Sequence, residues 1–219
     1  MRSLAVMTLL FCGLLSSGRG TAGESFRAAG FTFSDERGGF NLLSVSGSGH
    51  KLDPLVIVEE ITDFGPVLLV IRADSDTLDL HRGKSGMTST LNLSVIKVVI
   101  NRTERAWSAF DMELREEENT PSPYGDGLSF GQMAGSERKL ESDSFNIWHQ
   151  LDEPLDRISF IDGGVDSGAA AQFTFQITDP TLQPVFFLLQ EPRWLISGSP
   201  TRLAAGGPNP LSESLGQRP

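Results

Sequence analysis

The stretch NRTERAWSAFDMELREEEN, residues 101–119, decides the fold class. Within it Phe110, Met112 and Leu114 alternate with Asp111, Glu113 and Arg115. Successive side chains of a strand point to opposite faces, so a period of two sets an apolar face against a core and a charged face toward water. A helix would place its apolar residues three and four apart. Trp107 lies out of step with Phe110, and a bend or bulge near Ser108 brings both rings to one side. The segment EEENTPSPYGDG (116–127) cannot extend the strand: it carries a like-charge run, two prolines and two glycines, and is expected to be a long surface loop.

The same grammar recurs on either side. Short apolar runs are separated by clusters of Gly, Pro, Asn, Asp and Ser, which predicts a single antiparallel β-sandwich of the all-β class. FRAAGFTFS (26–34) and FNLLSVSG (40–47) flank DERGG, expected to be a hairpin loop. PLVIVEEI (54–61) and PVLLVIRA (66–73) are continuous and β-branched, as expected of strands buried on both faces. TLDLH (77–81) is a weaker strand candidate, and STLNLSVIKVVINR (89–102) is the longest β-branched run. LSF (128–130), DSFNIWHQL (143–151) and RISFID (157–162) follow as strands, with GGVDSG as a hairpin turn into AQFTFQIT (171–178). In that last run Phe173, Phe175 and Ile177 face inward, and PVFFLL (184–189) is the final strand.

The ends bear on compartment. Arg2, the apolar run Leu4 to Leu15 and the small residues of SSGRGTAG form the three parts of a secretory signal. Cleavage is expected after Gly23, with Gly20 as an earlier site. The apolar run is shorter than the roughly 20 residues of a membrane-spanning helix. Cys12 follows bulky Phe11 inside that run, which argues against lipid attachment. It is the one cysteine of the chain, so the mature form has neither disulfide nor thiolate chemistry. Losing Arg2 and Arg19, and no acid, takes the formal net charge from −10 to −12. Such a balance disfavours nucleic acid and anionic membrane as partners, and no membrane span is expected after signal removal. The expected organisation is a signal at 1–23, one β-sandwich domain at 24–197 and a Gly/Pro/Ser-rich disordered tail at 198–219.

Candidate chemistry is sparse. Gly83-Lys84-Ser85 lacks the upstream glycine of a phosphate loop, because Leu78 holds that position. His50, His81 and His149 have no local partner at zinc-ligand spacing. Ser46, Ser48 and His50 cluster without a nucleophile elbow and read as a Gly/Ser turn. Asp162 with Asp166, and Asp74 with Asp76 and Asp79, are the acidic loops that calcium would use, though neither has a full ligand loop. Asp111 and Glu113 share one strand face about 6–7 Å apart, a separation within the range glycosidases use, but alternation alone places polar residues there. Asn92-Leu93-Ser94 and Asn101-Arg102-Thr103 match the glycosylation acceptor pattern, here expected to be chance. No catalytic, cofactor or metal residue is assigned.

Asn101, Thr103, Trp107, Phe110, Glu113 and Leu114 together resemble a segment of exported bacterial proteins of the exosortase-sorted (PEP-CTERM) kind. LDRISFIDGGVDSGAAAQFTFQITDP and VFFLLQEP resemble the later strands of those domains. The likeness spans about residues 90–192. Glu104 stands where the pattern has glycine, and Glu191-Pro192-Arg193 stands where sorted members have an anchor motif, so release is expected rather than anchoring. The resemblance implies an exported β-sandwich linked to the cell envelope or extracellular matrix. The expected function is therefore non-enzymatic, binding or structural, with an extracellular polysaccharide or envelope protein as partner. The alternatives are a carbohydrate-active enzyme using surface carboxylates and a calcium-dependent adhesive module.

Overall fold

The computed structural model describes residues 23–82, 89–121, 124–131, 140–151 and 156–194. The expected signal segment up to residue 22, Gly83-Lys84-Ser85 and the expected tail lie outside those residues. The strands are β1 (Ser25–Ala28), β2 (Phe31–Ser34), β3 (Phe40–Ser46), β4 (Leu55–Ile61), β5 (Val67–Ala73), β6 (Leu91–Asn101), β7 (Ala109–Arg115), β8 (Glu141–Ser142), β9 (Phe145–Leu151), β10 (Arg157–Gly163), β11 (Ala170–Asp179) and β12 (Val185–Arg193). A single α-helix among the described residues, α1 (Ser75–Arg82), interrupts them. Two sheets pack face to face as a β-sandwich. One has the order β1-β2-β5-β12-β7-β10-β9, the other β3-β4-β6-β11-β8.

The chain changes sheet more often than short loops suggest. Residues 35–39 and 62–66 link strands of different sheets, so neither link closes a hairpin. The segment after β10 likewise crosses to the other sheet rather than turning back beside it. Because β4 and β6 share a sheet while β5 lies in the other, β6 returns in the direction of β4, and the two pair in parallel. Every other strand pairing is antiparallel. The first hairpin instead sits inside FRAAGFTFS. Ala29 and Gly30 both adopt positive φ (53° and 80°), the two-residue turn whose twist matches its flanking strands.

Residues 75–82 form a helix, not a strand. Asp74 precedes its first turn, where Leu78 N–H donates to the Asp74 carbonyl, and Asp76 lies at the positive end of the helix dipole. Thr77 Oγ1 donates to the Gly30 carbonyl at 3.0 Å, which ties the helix to the first hairpin. No helix among the described residues is long and apolar enough to cross a membrane.

One apolar core fills the space between the sheets. Phe110, Met112 and Leu114 are all fully buried in it, as their alternation predicts. The bend at Ser108 brings Trp107 beside them, with the Trp107 and Phe110 rings 5.5 Å apart. Phe173 of β11 stacks on Phe110 at 4.9 Å and lies 4.8 Å from Phe160 of β10. β5 is covered on both faces, and its outward Leu68 and Val70 meet Phe187 in a small second cluster. β4 is not: Leu55, Ile57, Glu59 and Ile61 point in, while Val56, Val58 and Glu60 are partly exposed. Its continuous apolar run therefore hides an alternation.

Phe110→Ala is expected to cost about 3–5 kcal/mol, since the cavity lies where three strands converge. Denaturant unfolding measures it, and a nearly neutral result would refute this packing.

Candidate functional site

The outward face of β7 carries the carboxylates that alternation assigned to water. The structure corrects that assignment: Asp111 is 2% exposed and Glu113 3%. Asp111 Oδ2 is engaged by the Arg157 guanidinium and, at 3.0 Å, by Arg193 Nε. Arg157 also reaches Glu191 Oε2 at 3.1 Å. Glu113 Oε1 accepts from Arg115 Nε at 2.6 Å, and Arg115 continues to the Glu118 carbonyl. The physical reason is register. Arg157 faces Glu113 across β10–β7, while Arg193 follows Glu191, the β12 partner of Asp111. Long arginine stems lie over the sheet and cover the acids from solvent.

A groove of about 1700 Å³ opens where α1, the β3–β4 loop and strands β6 and β11 meet, and inward residues such as Leu93 and Phe175 line it beside outward ones. Asn92, Ser94, Thr174 and Gln176 present hydroxyl and amide groups to it, with His50 and His81 at its sides. Gln176 Oε1 is buried without a hydrogen-bond partner. His81 Nδ1 lies 2.8 Å from the Thr77 carbonyl, which fixes the ring against α1. Ser48 belongs to the loop wall: its N–H donates to Asp53 Oδ2 at 3.0 Å and its hydroxyl to the Asp53 carbonyl. Two of the three histidines thus share one groove; His149 stands apart on β9, exposed and opposite Ser159.

The acidic loops have other partners. Asp74 accepts from Arg27 at 2.6 Å, and Asp76 and Asp79 lie on α1. The Asp162 carbonyl accepts from Asn146 at 2.9 Å, and Asp166 closes a turn to the Ala169 N–H. Among the described residues no three His, Asp or Glu side chains form a metal-holding group.

Three further arrangements appear in the folded chain. Asn101, fully buried, donates to the Arg105 and Val165 carbonyls, while its Oδ1 accepts from the Thr103 N–H and hydroxyl. Thr103 Oγ1 in turn receives Trp107 Nε1 at 3.3 Å. The Asn-x-Thr match is therefore a built corner beneath Trp107, with the asparagine inaccessible.

In the core, Lys97 Nζ of β6 donates to Glu59 Oε2 of β4 at 2.6 Å, both side chains 0% exposed. Gln190 of β12 lies beside Glu59 from the opposite sheet. The signal was available: the alternation that puts Leu93, Val95 and Val99 inward puts Lys97 inward too.

Glu116, Asp126 and Asp179 form an acidic group near His81. Burial, and then repulsion from Asp126, Asp179 and Glu117, pushes the Glu116 carboxyl up to about 7. Burial also raises Asp179, opposed by its hydrogen bonds from Thr181. Asp179, at the end of β11, is far along the chain from Glu116 and Asp126, so no local pattern marks the group.

Comparison of the chain with protein-family models, with curated proteins and with solved structures finds no match.

Asp111→Ala should destabilise by about 1–3 kcal/mol, above the ~0.5 kcal/mol of a free surface position, because it removes the buried carboxylate that Arg157 and Arg193 share. Urea unfolding tests this, and a neutral substitution would show the arginines to be mere cover.

Glu116 holds its proton in the folded state up to about 7 and in the unfolded chain only to about its ordinary 4.5. The folded state thus binds the extra proton between those values, and stability falls as pH rises through that window. The melting temperature of the wild type should drop relative to that of Glu116→Gln between pH values of about 4.5 and 7. Parallel melting curves across this range would contradict the assignment.

Proposed function

We propose that the protein is an exported β-sandwich that binds an extracellular polysaccharide without turning it over, as a component of the cell envelope or extracellular matrix. The observation that carries this reading is the lining of the groove. Side-chain amides and hydroxyls of β6 and β11 present donors and acceptors in a row at the spacing of alternate strand residues. Sugar hydroxyls need such neutral partners, and the Gln176 carboxamide is one of the groups that line the groove.

Supporting this reading, the N-terminal sequence has the parts of a secretory signal, and the acidic balance disfavours polyanionic partners. Binding without hydrolysis fits the state of the β7 carboxylates. A hydrolase on that strand needs a proton-donating acid and a second free carboxylate, whereas Asp111 is held by two arginines and Glu113 by one. The resemblance to exosortase-sorted proteins agrees with export and with an envelope or matrix role.

Affinity electrophoresis of the purified protein in gels containing neutral or acidic polysaccharides tests the proposal. Retardation by at least one neutral polymer is expected. Gln176→Ala and Thr174→Ala should each weaken it about tenfold, the equivalent of one hydrogen bond of about 1.4 kcal/mol, with unchanged circular dichroism. Mobility that no polymer alters, or retardation that both substitutions leave intact, would defeat it. Release of reducing ends from a retained polymer would replace binding with hydrolysis.

A further inference from the structure

The Lys97–Glu59–Gln190 group is an unusual thing to place in the centre of a sandwich. An amine, a carboxyl and a carboxamide meet where every other inward residue of these strand segments is apolar, except Asn101 at the end of β6. Lys97 and Glu59 belong to one sheet and Gln190 to the other. All three side chains are 0% exposed. Gln190 lies against Glu59, yet neither its amide oxygen nor its amide nitrogen completes a well-formed hydrogen bond, and Glu59 Oε1 likewise has none. Such an arrangement leaves polar groups unsatisfied in the core, which native structures rarely tolerate without a reason.

We infer that Lys97 and Gln190 join in an intramolecular isopeptide bond, formed autocatalytically with Glu59 as the proton carrier, that covalently staples the two sheets.

The reaction balances without any further reagent. The neutral Lys97 amine attacks Cδ of Gln190, and the protonated Glu59 carboxyl gives its proton toward the amide oxygen as the tetrahedral centre forms. Collapse breaks the Cδ–Nε2 bond. The proton lost from Lys97 Nζ passes through Glu59 to the departing nitrogen, which leaves as ammonia. The Nζ–Cδ bond replaces the Cδ–Nε2 bond, one amide becomes another, nothing is oxidised or reduced, and Glu59 ends as it began.

The site favours the forms this needs. Burial pushes the Lys97 amine down and the Glu59 carboxyl up, and the ion pair between them opposes both shifts. The neutral pair, amine with carboxylic acid, is therefore accessible to an extent it would not be in water. Asp35 reinforces this: its charge raises Glu59 further. Its Oδ2 accepts the Leu42 N–H at 2.8 Å, while Oδ1 is buried without a partner. Exclusion of water protects the carboxamide from hydrolysis, and the nucleophile that shares the Glu59 carboxyl with Gln190 is the Lys97 amine. A cross-link of this kind also suits a chain whose one cysteine is Cys12, because no disulfide can then tie the sheets together.

Mass spectrometry of the denatured full-length protein reads the bond directly. The expected mass is about 17 Da below that of the same chain unlinked, the loss of one ammonia on covalent attack by an amine. Trypsin should then fail to cut after Lys97 and should release residues 85–102 joined to residues 158–193, a species identifiable by tandem spectra. Lys97→Met and Gln190→Leu should each restore full mass, but either could misfold, so the digest of the wild type is the deciding measurement. A deficit of about 18 Da with Lys97 joined to Glu59 or Asp35 would overturn the assignment of Gln190 as the acceptor. Full mass with normal cleavage after Lys97 would overturn the bond altogether.

Discussion

Phe173 is the point on which the two sheets close. It projects from β11 and meets Phe110, Phe145 and Phe160, which come from three different strands of the opposite sheet, at ring separations of 4.9, 6.0 and 4.8 Å. Aromatic rings bury large areas and interlock with defined geometry, so this cluster sets how the sheets sit as well as how strongly they adhere. Its position also dictates what faces out. Where Phe173 and Phe175 turn inward, Thr174 and Gln176 must turn outward, and they then line the groove. Core and candidate binding face are two consequences of one strand period.

The polar residues admitted to this interior fall into two kinds. Asn101 is fully employed: its amide and carbonyl close a corner on which Thr103 and then Trp107 rest. It replaces backbone hydrogen bonds that the bend cannot make, so burying it costs little. Lys97, Glu59 and Gln190 differ. Their ion pair is compensated in part, but the carboxamide is not, and a buried unmade hydrogen bond is destabilising where a made one is nearly neutral. A group that stability does not justify is a natural place to look for chemistry.

The seven-stranded sheet treats its outer face in a third way. Arg157, Arg193 and Arg115 lie over Asp111 and Glu113, so a face patterned for water becomes a semi-buried ionic layer. Beside it, Leu68, Val70 and Phe187 make an apolar patch on the same side. Charge in this layer is spent on holding β7, β10 and β12 in register rather than on display to a ligand.

How much of this was legible in the chain depends on the range of each interaction. The alternation of Phe110, Met112 and Leu114 is local, because strand geometry alone sends them to one face, and the class of fold and the inward row of β11 follow from it. The same rule applied to SVIKVVI places Lys97 in the core without any structure. What no local pattern could show was pairing. DERGG links two sheets instead of closing a hairpin, β4 and β6 run parallel because β5 left for the other sheet, and TLDLH is helical because Asp74 and the turn at Gly30 cap and hold it. Burial of Asp111 depended on arginines 46 and 82 residues away. The approach of Gln190 to Glu59, the partner of Lys97, likewise required two sheets to close upon each other. Sequence by itself determined which side chains turn inward, since that is a property of one strand; only the tertiary structure decided which of them touch, since contact is a property of two.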